Sequence, residues 1–122
     1  MELEVLKYLH DVLESIERLL TYSSQIDKTE QIEQSAMLKD AIERRLSIIG
    51  EALYKANKIN KDIPITNKNK IISLRHIIVH DYDSVNPAGL FIILKDHLAL
   101  LHDEVKSILE QFPPEKNISL DI

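Results

Sequence analysis

Val5-Leu6-Lys7-Tyr8-Leu9-His10-Asp11-Val12-Leu13-Glu14-Ser15-Ile16-Glu17-Arg18-Leu19-Leu20 is the stretch that decides the fold class. Leu6, Leu9, Leu13, Ile16 and Leu20 recur every three or four positions, the spacing that gathers side chains on one side of an α-helix. Val5, Val12 and Leu19 widen that stripe, so burial is expected on two sides of the helix. The same period continues downstream. Leu38, Ile42, Leu46, Ile49, Leu53 and Ala56 mark a second helix from about Ser35 to Asn57, which is expected to end there because asparagine tolerates the left-handed conformation after a helix. Lys58 to Thr66, with Pro64, reads as a loop. A short third helix begins near Thr66 or Asn67 and is expected to turn Ile71, Ile72, Leu74, Ile77 and Ile78 inward. Asn86 followed by Pro87 is a cap and first-turn proline, opening a fourth helix through Leu90, Ile93, Leu94, Leu98, Leu101, Val105, Ile108 and Phe112. Pro113-Pro114 stops it. Short connections between long amphipathic helices predict an all-α, up-down four-helix bundle, with residues 1–112 as one helical domain and 113–122 as a C-terminal tail.

Composition agrees with that reading. The 122 residues suit one domain with its own core, and two glycines with 44% hydrophobic and 29% charged residues favour long helices over a turn-rich sheet. Zero cysteines exclude a disulfide framework and fit a reducing compartment. No apolar run approaches a membrane span, and Glu2 and Glu4 stand where a signal peptide needs a basic flank. A cytoplasmic protein without membrane association is therefore expected.

The chemistry-bearing stretch is Leu74-Arg75-His76-Ile77-Ile78-Val79-His80-Asp81-Tyr82, at the end of the third apolar pattern. Arginine is a fixed cation whose planar fork matches a phosphate, and histidine is the side chain that most readily exchanges a proton near neutral pH. Together they can cleave a phosphodiester without metal. The plainer alternative is that Arg75 and the histidines satisfy carbonyls at a helix end or are simply solvated. His76 and His80 share a helix face four residues apart, but zinc needs three or four protein ligands and no cysteine or intervening glutamate completes a set. No metal and no cofactor are expected.

Arg75, His80 and Tyr82 reproduce an R-x(4)-H-x-Y pattern, and Arg44-Arg45-Leu46-Ser47-Ile48-Ile49-Gly50-Glu51-Ala52 supplies an R-x-L-x-I-I-G-E-A helix upstream of it. With both segments in place, roughly residues 1 to 111 resemble the HepT-like toxins, a branch of the HEPN ribonuclease superfamily. His76 departs from the asparagine usual after that arginine, which leaves the class intact and affects fine geometry only. The resemblance implies a HEPN-type bundle and a homodimer whose motifs meet across a two-fold axis. It implies a metal-independent endoribonuclease toxin of a type VII-like toxin–antitoxin pair, acting on tRNA or mRNA. Arg75 and His80 would be catalytic, with His76 and Glu51 in support. Tyr82 would be the residue adenylylated by a minimal nucleotidyltransferase antitoxin. A noncatalytic helical subunit that binds a nucleotide or a partner is the alternative, since many HEPN domains share the fold without nuclease activity.

Net charge of −5 opposes indiscriminate binding to a polyanion. Residues 55 to 80 reverse it locally: Lys55, Lys58, Lys61, Lys68, Lys70 and Arg75 face Asp62 alone. Lysines in a loop often do no more than keep it solvated. Beside the Arg/His motif, Lys68 and Lys70 are candidate contacts for RNA phosphates.

Overall fold

Two long helices lie against each other and set the frame. The computed structural model describes residues 1–76 and 86–113. Helix α1 (Leu3–Ser23) buries Val5, Leu9, Val12, Ile16 and Leu19 completely, and its main partner is α3 (Ala36–Ile59), which contributes Ile42, Leu46, Ile49, Leu53 and Ala56. The wide α1 stripe is used as expected, because the last helix covers its second side. Ser15, also buried, receives a hydrogen bond from Arg45 Nη1 at 3.4 Å, so one of the two adjacent arginines of α3 turns toward α1.

Between them sits α2 (Thr29–Glu33), an element too short to show periodicity in the sequence. Gln31 Oε1 accepts from the backbone N–H groups of Asp27 and Lys28 at 2.7 and 2.9 Å, satisfying donors that a helix start leaves open. Ile26 and Ile32 anchor this corner in the core. Ser35 then caps α3, its Oγ accepting from Leu38 N at 3.1 Å. The expected end at Asn57 is corrected: the helix runs on to Ile59, and Asn57 lies inside it with Oδ1 buried and unpartnered among the described residues. Asn60 ends it in an extended conformation, its Oδ1 accepting from Asp62 N at 2.9 Å. The terminating asparagine acts through its side chain, which competes for backbone donors, and not through left-handed backbone.

The following loop is tied at several points. Ile63 and Ile65 are buried, and Thr66 donates through N and Oγ1 to the Glu104 carboxylate at 3.0 and 2.6 Å. Asn67, at φ 59°, turns the chain into α4 (Lys68–Ile72). That helix tightens at once into a 3₁₀ turn, Ser73–His76. Where it is described, the third helix is shallower than its apolar pattern suggests: Ile71, Ile72 and Leu74 are half-buried. Ile77 and Ile78 lie outside the described residues. Asn86 caps α5 (Pro87–Ile92) as expected, Oδ1 accepting from Gly89 N at 2.8 Å, with Pro87 in the first turn.

The expected fourth helix is one rod with a widened turn: α5 passes through a π turn (Ile93–His97) into α6 (Leu98–Gln111). The sequence carries the reason. Leu90, Leu94 and Leu98 are spaced by four and then four again, which over-rotates an α-helix by about 40° per step. A wider turn absorbs that excess and keeps all three leucines buried. Lys95, on the π turn, donates to Ser23 O at 2.8 Å and so closes the end of α1. The fold is all-α, with no strand among the described residues and no described helix long and apolar enough to cross a membrane.

Gly50 fixes where the motif segment sits. It is buried at the contact between α3 and the α4–3₁₀ segment, and a Cβ there would overlap Arg75 N and stand 3.0 Å from both Ile71 O and Ile72 O. Alanine in a helix interior is worth about 0.5–1 kcal/mol over glycine, whereas overpacking costs about 1–3 kcal/mol. The second effect wins here because the obstacle is backbone. Gly50→Ala is expected to lower the midpoint of urea unfolding; a stabilised variant would mean that the two backbones do not meet this closely.

Candidate functional site

One stripe of α3 builds the site. Arg44, Ser47, Ile48, Glu51 and Lys55 recur at helical spacing, and Tyr8 and Asp11 of α1 face them across a groove of about 380 Å³. Arg75 enters the same groove from the 3₁₀ turn, brought there by the glycine contact one residue before Glu51.

The Arg75 side chain is a quarter exposed and gripped from two directions. Its guanidinium carbon lies 3.5 Å from the centre of the Tyr54 ring, a stacked arrangement that uses the planar, weakly hydrated character of arginine. Nη1 stands 3.9 Å from Glu51 Oε1, while Lys55 Nζ stands 3.9 Å from Glu51 Oε2. Nε is buried with no hydrogen-bond partner among the described residues. At these exposures and distances the ion pairs orient more than they stabilise. The stack is the stronger constraint, because a ring face restricts the plane of the whole guanidinium.

Tyr54 is a site residue that sequence reading passes over. It stands one turn after Gly50, on the side where Arg75 approaches, and that i, i+4 relation is the signal that would have found it. Its phenol is held below the usual tyrosine range, first by the Arg75 guanidinium against it and then by Lys58, whose ammonium lies 5.3 Å from the ring centre.

Of the other expected residues, the described ones His76, Lys68 and Lys70 do not line this groove. His76 is exposed on the 3₁₀ turn. His80 and Tyr82 lie outside the described residues. Lys68 is engaged with its own loop, Nζ donating to Lys61 O at 2.7 Å and Ile63 O at 3.2 Å. Lys70 lines a different groove, of about 340 Å³, between the motif segment and the last helix, with Leu74 and Leu100. Among the described residues, no three His, Asp or Glu side chains converge as metal ligands.

The stack yields a spectroscopic expectation. A phenolate is favoured next to Arg75, so one tyrosine should ionise at lower pH than the rest in an ultraviolet titration of the folded protein. The sign follows: a depressed folded-state value stabilises the fold as pH rises toward the tyrosine range and is lost as pH falls through it. Arg75→Ala should move that tyrosine up toward the ordinary range, with Lys58 still holding it partly down, and Tyr54→Phe should remove it from the curve. An unchanged titration in Arg75→Ala would refute the contact.

Comparison with known proteins places these features in a family. The model of the ribonuclease HepT-like family matches residues 12–108, a span that contains the α3 stripe, Gly50 and Arg75. A protein of Methanocaldococcus jannaschii named "putative RNase" is 30% identical over 106 residues, covering 86% of this chain and 96% of that protein. Another from the same organism, named "gamma-glutamylcyclotransferase and putative RNase", is 31% identical over 126 residues, and this chain spans 53% of its length. No solved structure matches significantly. On the matched span and on these relatives, the chain belongs to the ribonuclease HepT-like family.

Proposed function

We propose that the chain is a metal-independent endoribonuclease toxin in which Arg75 and His80 carry the reaction. The observation that supports this most is the seating of Arg75: the glycine of the family helix brings it to a groove lined by cations, with its plane set by Tyr54. In the reaction, His80 takes the proton from a ribose 2′-hydroxyl or delivers one to the departing 5′-oxygen. Arg75 stabilises the added negative charge on the pentacoordinate phosphorus. The 2′-oxygen bonds to phosphorus as the 5′-oxygen leaves, giving a 2′,3′-cyclic phosphate. Glu51 orients Arg75, and His76 holds a neighbouring phosphate or orients His80. Lys70 extends the positive field, while Lys68 adds charge from a position already bonded to the loop.

A homodimer with motifs facing across a two-fold axis brings an arginine and a histidine to one cleft. Tyr82, two residues from His80, is the regulatory position in this reading. A minimal nucleotidyltransferase partner adenylylates it: the phenol oxygen attacks the α-phosphorus of ATP, pyrophosphate leaves, and the added anion repels RNA.

Arg75→Ala and His80→Ala should each reduce cleavage of RNA by about 10²–10⁴, with the parent equally active in EDTA. His76→Asn should be mild. Alanine variants as fast as the parent would leave a noncatalytic binding subunit. Light scattering should give a dimer at micromolar concentration; a monomer that still cleaves RNA would end the shared-cleft reading. Coexpression with the nucleotidyltransferase should add adenylyl mass that maps to Tyr82, and Tyr82→Phe should stay toxic and resist this modification. An adduct mapped to Tyr8, Tyr22 or Tyr54 would overturn the assignment.

A further inference from the structure

We infer that the groove beside Arg75 is a subsite for the single-stranded RNA segment flanking the scissile phosphate, with Arg44 binding a neighbouring phosphate and Tyr8 receiving a base. This rests on the ribonuclease reading and deepens it.

Of the three cations that line the groove, Arg44 is the one that no described side chain pairs with. Its neighbour Arg45 reaches back to Ser15, Lys39 pairs with Glu43 at 3.0 Å, Arg18 pairs with Glu14 at 3.1 Å, and Lys55 shares Glu51 with Arg75. Among the described residues Arg44 has no ion-pair or hydrogen-bond partner, and it is exposed on the wall of a concave surface. Asp11 lines the same groove without reaching ion-pair distance of it. The floor between Arg44 and Arg75 is short: Ser47, Ile48 and Ala52, a hydroxyl and small apolar surface. At about 380 Å³ the groove is at the small end of the range for ligand sites, a size suited to one nucleotide rather than a duplex.

The opposite wall is aromatic. Tyr8 is half-buried on α1, with Lys55 Nζ 6.0 Å from its ring centre. A cation that tracks the backbone and a ring that accepts any base are the two parts by which proteins hold single strands, and together they carry little sequence preference. Three cations against the two carboxylates Asp11 and Glu51 leave the groove positive within an acidic protein. The subsite thus aligns the strand along α3 so that the next phosphate falls at Arg75. Arg44 acts in binding, not in bond cleavage.

The test uses the full chain with two labelled probes, a cleavable single-stranded RNA and its uncleavable 2′-O-methyl counterpart. In Arg44→Ala the KM for the cleavable strand should rise about tenfold while kcat changes less than twofold. Binding of the uncleavable strand, read by fluorescence anisotropy, should weaken equally. Its dependence on salt should become shallower by about 0.7 in the log–log slope, the loss of one phosphate contact on a single strand. Arg44→Lys should keep the slope. Tyr8→Leu, which retains the apolar contact with the core, should weaken binding without altering the slope. Parental KM, affinity and slope in Arg44→Ala would overturn the subsite even if the parent cleaves RNA. So would a kcat loss equal to the KM effect, which would place Arg44 in the chemistry. A parent that binds the strand through Arg44 yet never cleaves would uphold the subsite while ending the ribonuclease reading. A parent that neither binds nor cleaves would overturn both.

Discussion

The backbone contact at Gly50 is the constraint on which the site depends. Helices normally pack at a distance set by their side chains, so the place of a residue on one relative to the other varies with those side chains. Here the two segments touch main chain to main chain, which leaves no side chain to adjust the register. Arg75 is at the point of contact itself, and the partners that orient it, Glu51 and Tyr54, are one and four residues from the glycine. Position and orientation therefore come from one turn of α3.

That economy explains which parts of the molecule were legible. The period of apolar residues identified the long helices because each buries a face along its whole length, as α1 and α3 do. Asn86 marked a start correctly, since a cap acts within three residues and owes little to the rest of the fold. The same locality misled at Asn57, where burial of Ala56 carried the helix past a residue that often ends one. Short elements escaped: α2 has five residues and one buried side chain, too little to show a repeat. The shift to a 3₁₀ turn at Ser73 is set by packing on α3 and has no local sign.

For the site, residue types announced Arg75, and the glycine-glutamate pair on α3 announced its neighbour. Tyr54 did not stand out, because its role depends on what approaches it from a distant part of the chain. Lys68 shows the converse. Counted as charge it belongs to a basic patch, yet its ammonium is a structural donor to two loop carbonyls. Net charge along a sequence says how many cations there are, and only the fold says which are unspent.

The Glu51 carboxylate has one more consequence for Arg75. At 3.9 Å it is a resident counter-anion, close enough to orient the guanidinium and too long and exposed to hold it tightly. Any phosphate that docks there performs an exchange of anions: Arg75 trades a carboxylate for a phosphodiester, and Glu51 keeps Lys55 as its remaining partner. Affinity is then a difference between two similar interactions, small for a lone phosphate ion and appreciable only for a ligand that adds contacts elsewhere. A cation so arranged ignores single anions and responds to chains of them.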